Sequence, residues 1–442
     1  MNARDLAPVL ILLFSYVAFS IGRVPWLRSD RLAASLIGGA LMVTIGGLTL
    51  AKAQAAVDGA TLALLFGMMV ISAALELSGA FGVCARWITR RVRTQLGLAA
   101  AISVVTAVLS AFLINDVVCI ALTPLVLSIT RRLGCDPKPH LLALATSSNI
   151  GSVATITGNP QNILIGSVSG IPYARFSMML APVAVAALAV NLLVLYVVHR
   201  AELSRAFAGP PSHAAPKAVK SASGTPLPPS SRSSSSSRAV SAGRTREERA
   251  IVYKRWVYKG SIVAGLVVVA FLAGVPPALA ALAGAAAILL TRAVNPERVY
   301  KRIDYGLLAL FVGLFVIVAG VERVGLGARL LSALSFMSLE STFGLTVTSA
   351  IVSNVVSNVP AVMVLKSVVA HLPRQEASWL VLAMSSTLAG NLTLTGSLAS
   401  LIVAERAKRR CTITFWDFAK VGAPSALVSL LIGAAWLHFA AG

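Results

Sequence analysis

"LATSSNIGSVATITGNPQN", Leu144 to Asn162, is the stretch on which the fold turns. It lies inside an otherwise oily segment, yet it carries Thr, Ser, Asn, Gly and Pro at a depth where Leu and Val belong. Lipid offers no hydrogen bonds to loosened backbone, so such a break must be shielded by protein or line a water-filled cavity. The remainder of the chain supports the membrane setting. Of its 442 residues 57% are hydrophobic and 12% charged, against roughly 25% charged in a soluble domain, and the mean hydropathy is +0.83. A helical span needs about 20 apolar residues. Apolar runs occur near 7–22, 33–50, 59–78, 96–130, 141–169, 178–198, 257–273, 277–292, 305–322, 343–371, 378–404 and 421–440.

The formal charge of +22 suggests a nucleic-acid partner until the charges are placed. Six loops (23–31, 85–95, 131–139, 199–259, 292–304 and 405–420) hold 31 of the 38 Lys and Arg residues. Cytoplasmic loops collect positive charge, so the excess reports topology and no nucleic acid is implied. The stretch 201–250, with "GTPLPPSSRSSSSSR" at its centre, is rich in Ser, Pro and Ala and has little to bury. It is expected to be a disordered cytoplasmic linker between a first unit, 1–200, and a second, 251–442. The first apolar run lacks a small-residue cleavage site and reads as a span, with both termini outside. The four cysteines (Cys84, Cys119, Cys135, Cys411) and five histidines have no metal-like or disulfide-like spacing, so no metal or cofactor is expected.

Two runs break the alternation of loops. The run 96–130 lies between two basic loops and must leave and return on one side, which predicts a hairpin with Asn115 and Asp116 at its tip. By the same logic 343–371 is a hairpin from outside, with Asn358 and Pro360 at its tip. The chain also repeats itself. Gly67, Glu76 and Gly79 fall 246 positions before Gly313, Glu322 and Gly325, and Ser110 and Asn115 fall 243 before Ser353 and Asn358. "ATSSNIGSVATITG" aligns without gaps on "AMSSTLAGNLTLTG" at an offset of 238, matching Ser147 to Ser385, Thr157 to Thr395 and Gly158 to Gly396. Each half then contributes five spans and one hairpin. An odd number of crossings turns the second half upside down, an inverted repeat whose broken helices point to a midplane site. The fold class is an all-α polytopic membrane protein with ten spans and two re-entrant hairpins.

Taken together, "SAFLINDVVCIALTPLVL", "SNIGSVATITGNPQN", "SNVVSNVPAV" and "LTLTGSLASLI" resemble the ion transporter superfamily. The likeness is nearest to its arsenite-permease and NhaD-type antiporter branch, with its bacterial anion permeases and citrate-transporter-like domain, and spans all but the linker. The resemblance implies an elevator-type carrier, a homodimer held by its scaffold, in the inner membrane of a bacterium. It also implies a site of hairpin tips and helix breaks: Asn115, Asp116, Thr157, Gly158, Asn159, Pro160, Gln161, Asn162, Ser357, Asn358, Pro360, Thr395, Gly396 and Ser397. The sodium-coupled dicarboxylate branch carries Ser-Asn-Thr at each tip. Here the tips read Ile114-Asn115-Asp116 and Ser357-Asn358-Val359, which argues against succinate or citrate.

The chemistry of these residues is consistent with that site. A helix that stops at Gly158 and restarts near Pro160 presents free N–H groups and a positive dipole end, with Asn159, Gln161 and Asn162 adding neutral donors and acceptors. A simple kink would not need that amide cluster. Asp116 is the one acid the hairpins bring toward the midplane, where carboxylates mark ion or proton paths; it is the coupling candidate, with a helix cap as the plainer reading. Lys366 is a second candidate, set against a side chain that snorkels outward. Glu76 and Glu322 read as scaffold residues beside arginines, and Cys119 as a small buried hydrophobe. The function expected is a secondary carrier for a small anion or oxyacid, arsenite-like or other, driven by H⁺ or Na⁺. A Na⁺/H⁺ antiporter is the alternative and an anion channel a remote one. With no GxxxxGK[ST] motif and no His beside the Ser-rich breaks, no enzyme is expected.

Overall fold

The computed structural model describes residues 3–21, 31–207, 256–291, 295–325 and 337–441. The expected linker lies, from residue 208 on, outside them. Secondary structure among the described residues is helical throughout. Five helices are long and apolar enough to cross a bilayer: Gly59–Ser78, Gln95–Phe112, Tyr173–Val198, Tyr305–Glu322 and Phe415–Ala440. Shorter apolar helices, among them Arg31–Thr44, Trp256–Leu272 and Pro277–Leu290, fill the gaps between them. Large apolar side chains such as Leu193, Leu290 and Phe439 stand exposed on the outer surface, as a hydrocarbon solvent requires.

The run 96–130 forms two helices, Gln95–Phe112 and Asn115–Leu133, joined by Leu113 and Ile114. At 1.5 Å per residue the arms are about 27–29 Å long, close to the roughly 30 Å hydrocarbon core. Each is therefore longer than the half-membrane arm that a re-entrant hairpin needs. The run 343–371 forms Thr342–Val356 and Asn358–Val369, separated by Ser357 alone.

The stretch 144–162 breaks where the sequence suggested, though earlier and in two steps. Helix Pro137–Ser152 ends at Val153, a 3₁₀ turn covers Ile156–Gly158, and a new helix runs Pro160–Ser169. Proline fits the first position of that helix because the missing N–H would have no helical partner. Asn159 caps it, its Oδ1 accepting from Asn162 N at 2.8 Å. Gly158 is required by contact, since a Cβ there would overlap the Ser152 carbonyl. Gly151 likewise lets helix Pro137–Ser152 lie directly on the Ala107 backbone of the first hairpin. In the second half the helix Gln375–Leu388 passes into a 3₁₀ turn, Ala389–Asn391, and restarts as Leu398–Ala407.

Helix pairs from the two halves match in length and exchange partners. Arg31–Thr44 and Pro277–Leu290 are 14 residues each, 246 positions apart. The first packs along Tyr305–Glu322 and the second along Gly59–Ser78. Ser35 Oγ seals the first pair by donating to the Leu310 carbonyl at 2.7 Å. The two 26-residue helices Tyr173–Val198 and Phe415–Ala440 pack on each other, with Trp436 Nε1 donating to the Met179 carbonyl at 2.8 Å. Helix Leu398–Ala407 lies against Asn115–Leu133, and Pro160–Ser169 against Asn358–Val369, so each restarted helix meets the hairpin of the opposite half. Glu76 pairs with Arg302 as a scaffold acid should. Glu322 instead accepts from Ser367 Oγ of the second hairpin at 2.7 Å, because its helix ends beside that arm.

Candidate functional site

The two breaks and two hairpins bring four helix starts together, at Asn115, Pro160, Asn358 and Leu398. Partial positive charge collects at such ends, about half an elementary charge each. Between them lies a buried amide and hydroxyl network whose hub, Asn149, was not singled out in the sequence. Asn149 Oδ1 accepts from Asn115 Nδ2 at 3.1 Å and from Ser397 Oγ at 2.9 Å, while its Nδ2 donates to Asn391 Oδ1 at 2.8 Å. Asn391 Nδ2 in turn donates to the Thr146 carbonyl at 3.0 Å.

Its counterpart 238 positions on, Thr387, is a second hub. Thr387 Oγ1 accepts from Asn159 Nδ2 at 3.2 Å and Gln161 Nε2 at 3.3 Å, and donates to Asn162 Oδ1 at 3.4 Å. The helix-start residue of each break, Asn159 or Ser397, thus binds the hub of the other half. Asn162 Nδ2 closes the first break by donating to the Ser152 and Thr155 carbonyls at 3.0 and 3.1 Å. The Asn358 amide satisfies its neighbours when Nδ2 donates to Ser353 Oγ (2.8 Å) and the Gly396 carbonyl (3.1 Å) and Oδ1 accepts from Gln161 Nε2 (3.2 Å). Gly390 sits where these groups converge: a Cβ there would lie 3.0 Å from Ser397 Cβ and 3.3 Å from one amide atom each of Asn149 and Asn358.

The other residues read from the sequence fall around this core to differing degrees. Asp116 is half-buried in the first turn of Asn115–Leu133. It is not the helix cap, since that position belongs to Ile114. Asp304, which caps Tyr305–Glu322, is near enough to act on it electrostatically. Thr157 is buried but turned to the Tyr173 hydroxyl at 3.0 Å, which gives it a packing role. Thr395 is exposed, 3.5 Å from the Thr393 hydroxyl. Lys366 lies in the last turn of helix Asn358–Val369. Its Nζ lies 5.7 Å from the centre of the Phe315 ring, and it lines a different cavity with Glu322, Ser367 and His371. Cys119 donates to Ser148 Oγ at 3.1 Å. Among the described residues no group of three His, Cys, Asp or Glu side chains could hold a metal.

Two side chains from the first two helices reach the second hairpin tip and carried no signal in the sequence. Arg31 Nη1 donates to Ser357 Oγ at 3.3 Å, and the Tyr16 hydroxyl donates to the Pro360 carbonyl at 2.8 Å. Ser357 itself has φ 79° and ψ 158°, a region that only glycine occupies without strain.

Helix breaks, hairpins and a polar hub enclosed by apolar helices define a polytopic membrane carrier. The chain belongs to the citrate transporter family CitMHS, whose family model matches residues 16–389. It is similar to the silicon efflux transporter LSI3 of Oryza sativa subsp. japonica, with 32% identity and 93% of each chain covered. It is also similar to the inner membrane protein YbiR of Escherichia coli (strain K12), with 29% identity over 86% of this chain and 87% of that one. The crystal structure of the Alcanivorax borkumensis YdaH transporter, described as having an unusual topology, shares the fold. It covers 99% of this chain and 98% of its own at a TM-score of 0.54 and 13% identity.

Proposed function

We propose that this chain is an ion-coupled secondary carrier that moves a small oxyacid or oxyanion across the membrane, binding it in the network around Asn149 and Thr387. The observation that carries this reading is the gathering of four helix starts around neutral amides and hydroxyls. That surrounding favours oxygen-rich solutes with negative or partial negative charge and offers no cluster of acids for a bare cation. The family's citrate and the silicon of the rice relative are both oxygen-rich as solutes, and arsenite belongs to the same class. Asp116 is the coupling residue, taking H⁺ or Na⁺. Lys366, set against Phe315 and away from the network, is left without a coupling role.

The two halves act as inverted repeats. The hairpins, broken helices and two 26-residue helices move as one body against a scaffold that includes Arg31–Thr44, Gly59–Ser78, Pro277–Leu290 and Tyr305–Glu322. The scaffold holds a homodimer, the basic loops face the cytoplasm of a bacterial cell, and both termini lie outside. Purified protein in liposomes tests the assignment. Arsenite, silicic acid, phosphate, sulfate and citrate are offered under imposed pH and sodium gradients, with wild type and Asp116→Asn compared. Gradient-driven uptake of one of these solutes, with the coupling lost in Asp116→Asn, is the expected result. Exchange of Na⁺ for H⁺ with no solute present would make the protein a cation antiporter that uses Asp116.

A further inference from the structure

A second cavity, of about 470 Å³, lies between the scaffold helices Gly59–Ser78 and Trp256–Leu272 and the tip of the first hairpin. Its walls include Met68, Ile71, Phe271, Leu109 and Phe112, and Ser261 is the only hydroxyl among them. The volume is that of a ligand pocket, about 300–1,000 Å³, and its lining would leave water without partners. The cavity opens outward. Val108, on one wall, is 54% exposed and Val83, on another, 43%. In a bilayer an opening of this kind meets lipid chains.

The rim supplies the second observation. The short helix Ala80–Arg91 was not anticipated and lies across the mouth. Phe81, Ala85 and Ile88 form its buried stripe, while Ala80, Val83 and Cys84 face the cavity. Trp87 follows three to four residues on, exposed at 55%, and exposed Arg90 and Arg91 follow three and four after that. Residues at this spacing share one helix side. The side therefore runs from an apolar cavity, through an indole, to two guanidinium groups. An interfacial helix has this order of chemistry, with hydrocarbon below, an aromatic at the headgroup level and cations at the surface.

We propose that this cavity is a binding site for one anionic phospholipid, its acyl chain lying between scaffold and hairpin and its phosphate held by Arg90 and Arg91. The chain would end against Phe112 and Leu113, two residues before Asn115 and three before Asp116. The site therefore couples lipid occupancy to the freedom of the first hairpin. This inference rests on the membrane setting alone and not on the identity of the transported solute.

The test uses the full chain in phosphatidylcholine vesicles containing a minor fraction of acyl-brominated phosphatidylglycerol or acyl-brominated phosphatidylcholine. The Trp87 signal is isolated as the difference between wild type and Trp87→Phe. Each arginine near an anionic lipid contributes about a fivefold preference, so Trp87 should be quenched at a severalfold lower fraction of brominated phosphatidylglycerol than of brominated phosphatidylcholine. The Arg90→Gln, Arg91→Gln double variant, altered only at exposed positions, should quench equally with both. Equal quenching of wild type by the two lipids overturns the proposal. So does protection of Trp87 from both lipids in a dimer, which would make a second copy of the chain the occupant. No transport is measured, so a wrong solute assignment would leave this result untouched.

Discussion

Ser357 offers a test in which the sign of the effect carries the information. It is a non-glycine residue at φ 79°, ψ 158° joining the two arms of the second hairpin. A side chain in that region costs about 1–3 kcal/mol. Ser357→Ala keeps this strain and loses the acceptor for Arg31 Nη1 at 3.3 Å, a long bond to a charged donor and so near the low end of about 1.5–3 kcal/mol. Ser357→Gly loses the same bond but releases the strain, less about 0.4–1 kcal/mol for the greater freedom of glycine in the unfolded chain. The difference isolates the backbone, and the glycine variant should be the more stable by about 0.5–2 kcal/mol. At an ordinary helical position the order is reversed, with alanine better by up to about 1 kcal/mol.

Thermal and denaturant melts of the purified full-length protein in detergent rank the three forms, and serine should melt above alanine. An alanine variant as stable as the glycine variant would refute the strain and the tip geometry derived from it. Tyr16→Phe separates the neighbouring contact, because it removes only the donor to the Pro360 carbonyl. It should lower stability by about 0.5–1.5 kcal/mol and add to the Ser357→Ala effect only in part, since both loosen one tip.

Three further expectations follow from the same geometry. Asn149→Ala strands partners in Asn115, Ser397 and Asn391; at about 0.6 kcal/mol per polar contact in a membrane interior, and at most about 1.7, the loss should be roughly 2–5 kcal/mol, read by melting, and solute flux should be lost with it. Gly390→Ala inserts a methyl 3.0 Å from Ser397 Cβ and 3.3 Å from an amide atom of each of Asn149 and Asn358; solute binding by calorimetry should weaken at least tenfold, about 1.4 kcal/mol, while a protein that binds unchanged would exclude this point from the site. Asp58, just outside Gly59–Ser78, is pushed up by burial, but hydrogen bonds from Ser167, Thr61 and Ala60 outweigh this and hold its carboxyl below the usual 3.8. Its contribution to stability is therefore full above about pH 4 and fades as the medium is acidified through the lowered folded value, so melts of wild type and Asp58→Asn should differ at neutral pH and converge in strong acid.

How much of this could be read from the chain depends on what each feature encodes. The break at Gly158-Asn159-Pro160 was legible because proline and glycine change local backbone chemistry wherever they stand. The second break was legible only by alignment to the first: "GNLTLTGSLAS" contains no proline, and its 3₁₀ turn begins earlier, at Ala389. Asn149 was hidden in plain view within the quoted stretch, since one amide in a run of Ser and Thr looks like helix filler until its three partners are found in space. Arg31 and Tyr16 were illegible because they act across more than 300 residues of chain. Nothing local to "SDRLAAS" or "LFSYVAF" points to a hairpin tip. Helix Ala80–Arg91 was read as a basic loop, because a run of arginines dominates its charge while the stripe Phe81, Ala85, Ile88 is only three residues long.

Matching helices do not make the two halves chemically alike, and the difference bears on what the site can hold. At the first restart the chain supplies Asn159, Gln161 and Asn162; at the second the aligned positions are Ser397, Ala399 and Ser400. The hubs differ in the same way, Asn149 offering a donor and an acceptor and Thr387 a single hydroxyl. The first tip ends in a carboxylate, Asp116, where the second has Val359. The amides of the restart and the tip acid thus come from the first half, while the second brings restart hydroxyls, the amides of Asn358 and Asn391, and a tip held by Arg31 and Tyr16. A solute held between them would meet more amide groups at the first restart than at the second. The second half would act mainly through position, its tip fixed where strain and two scaffold donors oppose one another. Exchanging amides should therefore change which solute is carried, and loosening the Ser357 tip should change how readily the protein moves.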